Sequence, residues 1–72
     1  METKELKFLR LPAVSSMTGY SKAAIYVHIA AGKFPRPIPL AGRGVAWEHG
    51  EVQDWMRARM ATRDAASSAV GQ

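Results

Sequence analysis

Lysine or arginine stands at Lys7, Arg10, Lys22, Lys33, Arg36 and Arg43, and no aspartate or glutamate occurs between Lys7 and Trp47. Cations spread over half a chain without one intervening anion set up a positive field, and the chemistry of such a field is the capture of a polyanion. The acids lie outside that stretch, at Glu2, Glu5, Glu48, Glu51, Asp54 and Asp64, and the net charge over all 72 residues is +4. A merely solvated basic surface is the plain alternative. An anionic membrane surface would call for one basic amphipathic helix, whereas these cations are distributed over several elements.

Other chemistry is poorly served. With no cysteine, and His28 and His49 as the only histidines, the chain offers neither a disulfide framework nor a zinc ligand set. It lacks a phosphate-binding glycine loop, a nucleophile–base pair and a paired-carboxylate signature. Ser15-Ser16 near a histidine is a chance pairing in a chain of this length. No enzyme activity, metal or cofactor is expected. No apolar run approaches the roughly 20 residues that span a bilayer, and Met1-Glu2-Thr3-Lys4-Glu5 lacks the layout of a signal peptide. The expected location is the cytoplasm, on the nucleoid.

The elements that must position the cations follow from spacing. Phe8 and Leu9 suit a short lead-in strand or turn. Leu11 to Met17 reads as a short helix: Pro12 suits its first turn, Leu11, Val14 and Met17 share a face, and Gly19 stops it. Ser21 is a good N-cap for a second helix carrying Ile25, His28 and Ile29, and Gly32 closes that helix. A short helix, a tight glycine turn and a capped helix make a helix-turn-helix. Prolines 35, 37 and 39 then forbid helix and central strand, leaving Phe34–Leu40 as an extended edge strand. Ala41-Gly42-Arg43-Gly44 supplies a turn and Val45-Ala46-Trp47 a return strand, giving a hairpin with Arg43 at its tip. Glu51 to about Arg63 forms a third helix with Val52, Trp55, Met56, Arg59 and Met60 on one face. Its start is poorly capped, with Glu48, His49 and Gly50 as candidates.

This order predicts a mainly α fold with a small β-hairpin, a winged helix-turn-helix. The domains read as a lead-in over 1–8, the folded unit over 9–63 and a flexible tail over 64–72. The second helix fits a major groove. Its N-terminal N–H groups and the Ser21 hydroxyl suit a phosphate, and Arg43 on the wing suits a backbone or a minor groove. Tyr26 fits either a phosphate contact or closure of the helix pair. His28 fits a DNA contact or a partly buried cover at the core edge. Trp47, Trp55, Met17, Met56 and Met60 read as core, His49 as a helix-start residue, and Arg57, Arg59 and Arg63 as solvation of the last helix.

These residues carry a family resemblance. Leu11-Pro-Ala-Val, Thr18-Gly-Tyr-Ser, Ile25-Tyr26, Gly32-Lys-Phe-Pro-Arg-Pro, Gly42-Arg43, Val45-Ala-Trp47 and Glu51-Val52-x-x-Trp55 resemble the AlpA family of small phage-type regulators and excisionases, over roughly residues 9–60. The resemblance implies a MerR-like winged helix that binds double-stranded DNA. Ser21, Lys22, Ala23, Tyr26 and Val27 then match the groove-facing side of the recognition helix, and Lys33, Arg36 and Arg43 match backbone and wing contacts. This chain has Val27 where the family usually has arginine, and Ala23-Ala24 where it often has Ser-Thr. Few groups remain to read base edges: Lys22, Tyr26 and His28 are polar, while Ala23 or Val27 suits a thymine methyl. More weight then falls on phosphates, wing and DNA shape, which favours cooperative binding of several copies. The expected role is an excisionase acting with an integrase, or a transcriptional regulator of a mobile element, with head-to-tail self-association on DNA. A small module docking on an integrase without DNA contact is the alternative.

Overall fold

The computed structural model describes residues 5–69, with side chains to residue 66. Residues 1–4 of the expected lead-in and 70–72 of the expected tail lie outside the described residues. The element order is β1 (Phe8–Leu9), α1 (Leu11–Thr18), α2 (Lys22–Ala30), β2 (Ile38–Pro39), β3 (Val45–Glu48) and α3 (His49–Ala69). The strands form a small antiparallel sheet in the order β1-β3-β2. It is the winged helix-turn-helix arrangement that the spacing predicts: helices α1 and α2 around a tight turn, a β2–β3 wing, and α3.

Each helix boundary has a local cause. Gly19, at φ 79°, ends α1 and donates its N–H to the Ser15 carbonyl at 2.8 Å. The turn that follows is held by hydroxyls. Ser15 Oγ donates to the Tyr20 carbonyl at 2.6 Å, Thr18 Oγ1 donates to the Val14 carbonyl at 2.9 Å, and Tyr20 N–H donates to Thr18 Oγ1 at 3.2 Å. Ser15 is thus a structural residue. The Ser21 side chain accepts from the Ala24 N–H at 3.1 Å, the N-cap expected for α2. At the other end Lys33 N–H reaches the His28 carbonyl at 2.8 Å and Gly32 N–H the Ile29 carbonyl at 3.0 Å, a Schellman closure that needs the left-handed φ of 74° at Gly32. A Cβ at Gly32 meets nothing within 4 Å, so Gly32→Ala pays for backbone strain alone. It is expected to cost about 1 kcal/mol, lowering Tm by roughly 4–8 °C in a thermal melt followed by circular dichroism.

The core is Leu9, Val14, Ile25, Phe34, Trp47 and Val52, with Leu11, Met17, Tyr20, Ile29, Val45, Trp55 and Met56 packed partly buried around it. β1 enters this core asymmetrically: Leu9, paired with Trp47, is buried, and Phe8, paired with Glu48, is exposed.

Three details differ from the expectations. The extended arm 34–40 joins the ladder only at Ile38 and Pro39, opposite Ala46 and Val45. Its alternating prolines cannot donate to a ladder, and the segment is held by indoles instead: Trp47 Nε1 donates to the Pro35 carbonyl at 2.9 Å and Trp55 Nε1 to the Lys33 carbonyl at 2.7 Å. The start of α3 is well capped. The Glu48 carboxylate accepts from the Gly50 N–H at 3.0 Å and the Glu51 N–H at 3.1 Å, and His49 N–H donates to the Lys7 carbonyl at 2.7 Å. An anion at a helix N-terminus also suits the dipole. Lastly, α3 continues past Arg63 to Ala69, through alanines that favour helix. Its apolar stripe emerges from the body gradually: Val52 is buried, Trp55 and Met56 are half-buried, and Met60, expected in the core, is 48% exposed at an open groove that Thr18 and Tyr20 also line.

Candidate nucleic-acid interface

Helix α2 turns Ile25 inward, fully buried, and Ile29 partly so. Ala23, Val27 and Ala30, offset from these by about a third to half a turn, face out, and Lys22, close to Ile29 in helical angle but in the first turn, and Tyr26 are exposed as well. The structure therefore brings Lys22, Ala23, Tyr26 and Val27 onto one face, with Ser21 at its N-terminal edge. Val27 is 65% exposed, a large fraction for a valine, on a nine-residue helix whose one buried residue is Ile25. The Ser21 oxygen is committed to the cap, which leaves its O–H as a donor. The N–H groups of Lys22 and Ala23, in the first turn, have no intrahelical partner.

Tyr26 and His28 show how packing sorts two aromatic side chains on the same helix. Tyr26 stands edge-on to Trp47 at 6.3 Å and remains 38% exposed. Its ring leans on the core while its edge stays on the outer face. His28 is half-buried and stacks on Tyr20, 4.9 Å between centroids and 25° between planes. Tyr20 in turn meets Trp55 edge-on at 5.4 Å. His28 thus sits on the flank of α2, in the stack that closes the turn, apart from the outward face.

The wing is built by a run of left-handed residues: Ala41 at φ 51°, Gly42 at 93° and Gly44 at 90°. Arg43 N–H bonds to the Leu40 carbonyl at 3.1 Å and Leu40 N–H to the Gly44 carbonyl at 2.9 Å. Arg43 is exposed at the tip. Lys33 is also exposed, its backbone fixed at both ends by the His28 carbonyl and the Trp55 indole. Arg36 is exposed but lines an open groove of about 610 Å³ with Pro35, Pro37, Ile38, Pro39, Glu51 and Asp54. Glu51 and Asp54 line the same groove, Asp54 paired with Arg57 at 3.1 Å, so Arg36 has acids on its side of the molecule as Lys22 does not.

One cation stands out only in three dimensions. Arg10 donates from Nη2 to the Arg43 carbonyl at 2.7 Å, across 33 residues of sequence. The absence of acids around it was the one sequence signal; its spacing from Arg43 carries no local pattern.

Among the described residues no group of three or more His, Cys, Asp or Glu side chains is placed to hold a metal ion, and no helix is long and apolar enough to cross a membrane.

A family model described as prophage CP4-57 regulatory protein (AlpA) matches residues 7–60. The match takes in both helices of the turn, the wing and the first turns of α3. The chain is also similar to the uncharacterized protein ORF88 of Enterobacteria phage P4, at 46% identity over 57 residues. That alignment spans 79% of this chain and 65% of the phage protein, just short of two thirds of the relative's length. With the family match extending over residues 7–60, well over half of the chain, the chain belongs to the AlpA family of prophage regulatory proteins.

Proposed function

We propose that this protein binds double-stranded DNA and regulates a mobile element. The observation that carries the reading is the outward face of α2, formed by Lys22, Ala23, Tyr26 and Val27 and free of acids, together with an arginine-tipped wing. An α-helix with its side chains is about 10–12 Å across, the width of a B-form major groove. In that groove Ala23 and Val27 suit thymine methyls. Lys22, the Ser21 hydroxyl and the first N–H groups of α2 suit a phosphate. Arg43 suits a neighbouring backbone or minor groove, and Lys33 and Arg36 add backbone contacts. His28 contributes through the turn stack. The protein has no catalytic role of its own and works on the nucleoid in the cytoplasm.

Within this reading the protein acts as an excisionase that prepares an attachment site for an integrase, and as a transcriptional regulator where its sites overlap a promoter. A recognition face with so few base-reading groups needs several copies on one site. The exposed Met60 and Arg59, at the groove they line with Thr18 and Tyr20, support contact between neighbours head to tail.

Fluorescence anisotropy of labelled duplexes from the attachment-site and promoter region, titrated at several salt concentrations, tests the proposal. Three or four phosphate contacts per protomer give a slope of about −3 to −4 in log affinity against log salt, with stepwise cooperative growth on longer duplexes. No binding at low salt overturns the DNA reading and leaves docking on an integrase. Binding with excision unchanged after deletion of the bound segment removes the excisionase role and leaves transcriptional control.

A further inference from the structure

The wing of this protein has an external clasp. Its tip is a short loop, and residues 41, 42 and 44 all have positive φ. Such a loop has little of its own to hold a shape: two backbone hydrogen bonds close it, Arg43 to Leu40 and Leu40 to Gly44, and Ala41 pays the cost of a left-handed non-glycine residue. From outside, the guanidinium of Arg10 reaches it and donates to the Arg43 carbonyl at 2.7 Å. The approach is close. A Cβ built on Gly44 would lie 3.0 Å from Arg10 Nη2, so the glycine leaves the space into which the guanidinium fits. The other end of Arg10 is equally fixed. Its backbone is the N-cap of α1, and its carbonyl accepts from the Ala13 and Val14 N–H groups at 3.0 and 3.1 Å. Its neighbour Leu9 is buried in the sheet. One residue therefore ties the base of the helix-turn-helix to the tip of the wing.

We propose that Arg10 is a positioning residue for DNA binding, whose guanidinium clasps the Arg43 carbonyl and so fixes the spacing between the wing arginine and the recognition helix. The proposal rests on the DNA-binding reading for its purpose, and the clasp itself is measurable without DNA. A guanidinium has five N–H donors in a planar fork, and a carbonyl bond engages only part of them. Arginine suits the task because the fork holds direction, whereas a lysine ammonium supplies the same charge without it.

The first measurement is ¹⁵N relaxation of the free protein. In the wild type the Gly42, Arg43 and Gly44 amides have order parameters near the rigid value of about 0.85, and in Arg10→Ala and Arg10→Lys they fall toward about 0.6. Arg10 is exposed, so circular dichroism of both variants matches the wild type. Unchanged wing order in Arg10→Ala overturns the clasp whether or not the protein binds DNA. The second measurement is a double-mutant cycle by anisotropy on the bound duplex. Arg10→Ala and Arg10→Lys each weaken binding about five- to tenfold, and in an Arg43→Ala background the same changes cost less than about twofold. Additive losses, or wild-type binding by Arg10→Lys, identify Arg10 as an independent phosphate contact and overturn the positioning role. Wild-type protein that fails to bind any duplex defeats the DNA reading alone, and the relaxation result still decides the clasp.

Discussion

Alanine at Lys22, Arg36 and Arg43 together lowers affinity for duplex DNA by a factor of several hundred at about 0.1 M salt, with the fold intact. The magnitude follows from counterion release: each phosphate contact contributes about 0.9 to the slope of log affinity against log salt, so its loss costs nearly tenfold a decade below 1 M. The three losses are unequal. Lys22, at the start of the outward face of α2, and Arg43, at the wing tip, each approach the full factor. Arg36 shares its groove with Glu51 and Asp54 and falls short of it. All three side chains are exposed, so their removal leaves the core untouched and Tm moves little. Anisotropy titrations from about 0.05 to 0.3 M salt give affinity and slope together, the slope becoming shallower by about 2 to 3. A triple variant that binds within threefold of the wild type would remove this surface from consideration. If partner binding to an integrase survives while DNA binding is lost, the two surfaces are separate.

Trp47→Ala unfolds most of the protein at 25 °C. Trp47 is fully buried at the centre of the core, in the middle strand of the sheet, against Tyr26 and paired with Leu9. Its Nε1 also satisfies the carbonyl of Pro35, in a segment that cannot use ladder bonds. Truncating a buried tryptophan costs about 3–5 kcal/mol, and the abandoned carbonyl adds about 1 kcal/mol. A domain of this size has a total stability of only about 4–10 kcal/mol, and a core this small puts it toward the lower end. Trp47→Phe separates the two contributions, since it keeps most of the ring and loses the N–H. Its expected cost is about 1–2 kcal/mol, read from urea titrations followed by circular dichroism, with Trp55 left as the sole indole fluorophore. Stability of Trp47→Ala within 1 kcal/mol of the wild type would contradict this account of the core.

Much of the fold could be read from the chain because it is specified locally. Gly19, Ser21 and Gly32 mark helix ends through backbone conformation and hydrogen bonds that span a few residues, and these operate wherever the segment sits. The same holds for the glycine-rich wing tip and for the inward period of Val14, Ile25 and Val52. The set Lys22, Ala23, Tyr26 and Val27 came from the family resemblance and not from period, and all four are exposed on α2.

What the chain did not disclose were interactions between residues far apart in it. No local pattern says that the Trp47 and Trp55 indoles support the 33–35 backbone, that Tyr20 is the ring on which the partly buried His28 stacks, or that Arg36 lines one groove with Glu51 and Asp54. Periodicity put Met60 on the stripe of α3 but could not say where the body ends beneath it. Above all, the hydrogen bond from Arg10 to the Arg43 carbonyl exists only because the sheet returns the wing to the base of α1. The sequence by itself determined where the two helices of the turn and the wing lie, and that the stretch between Lys7 and Trp47 carries cations without an acid. The tertiary structure alone decided how those cations are spaced, because that spacing depends on contacts whose partners are separated by loops and set by packing.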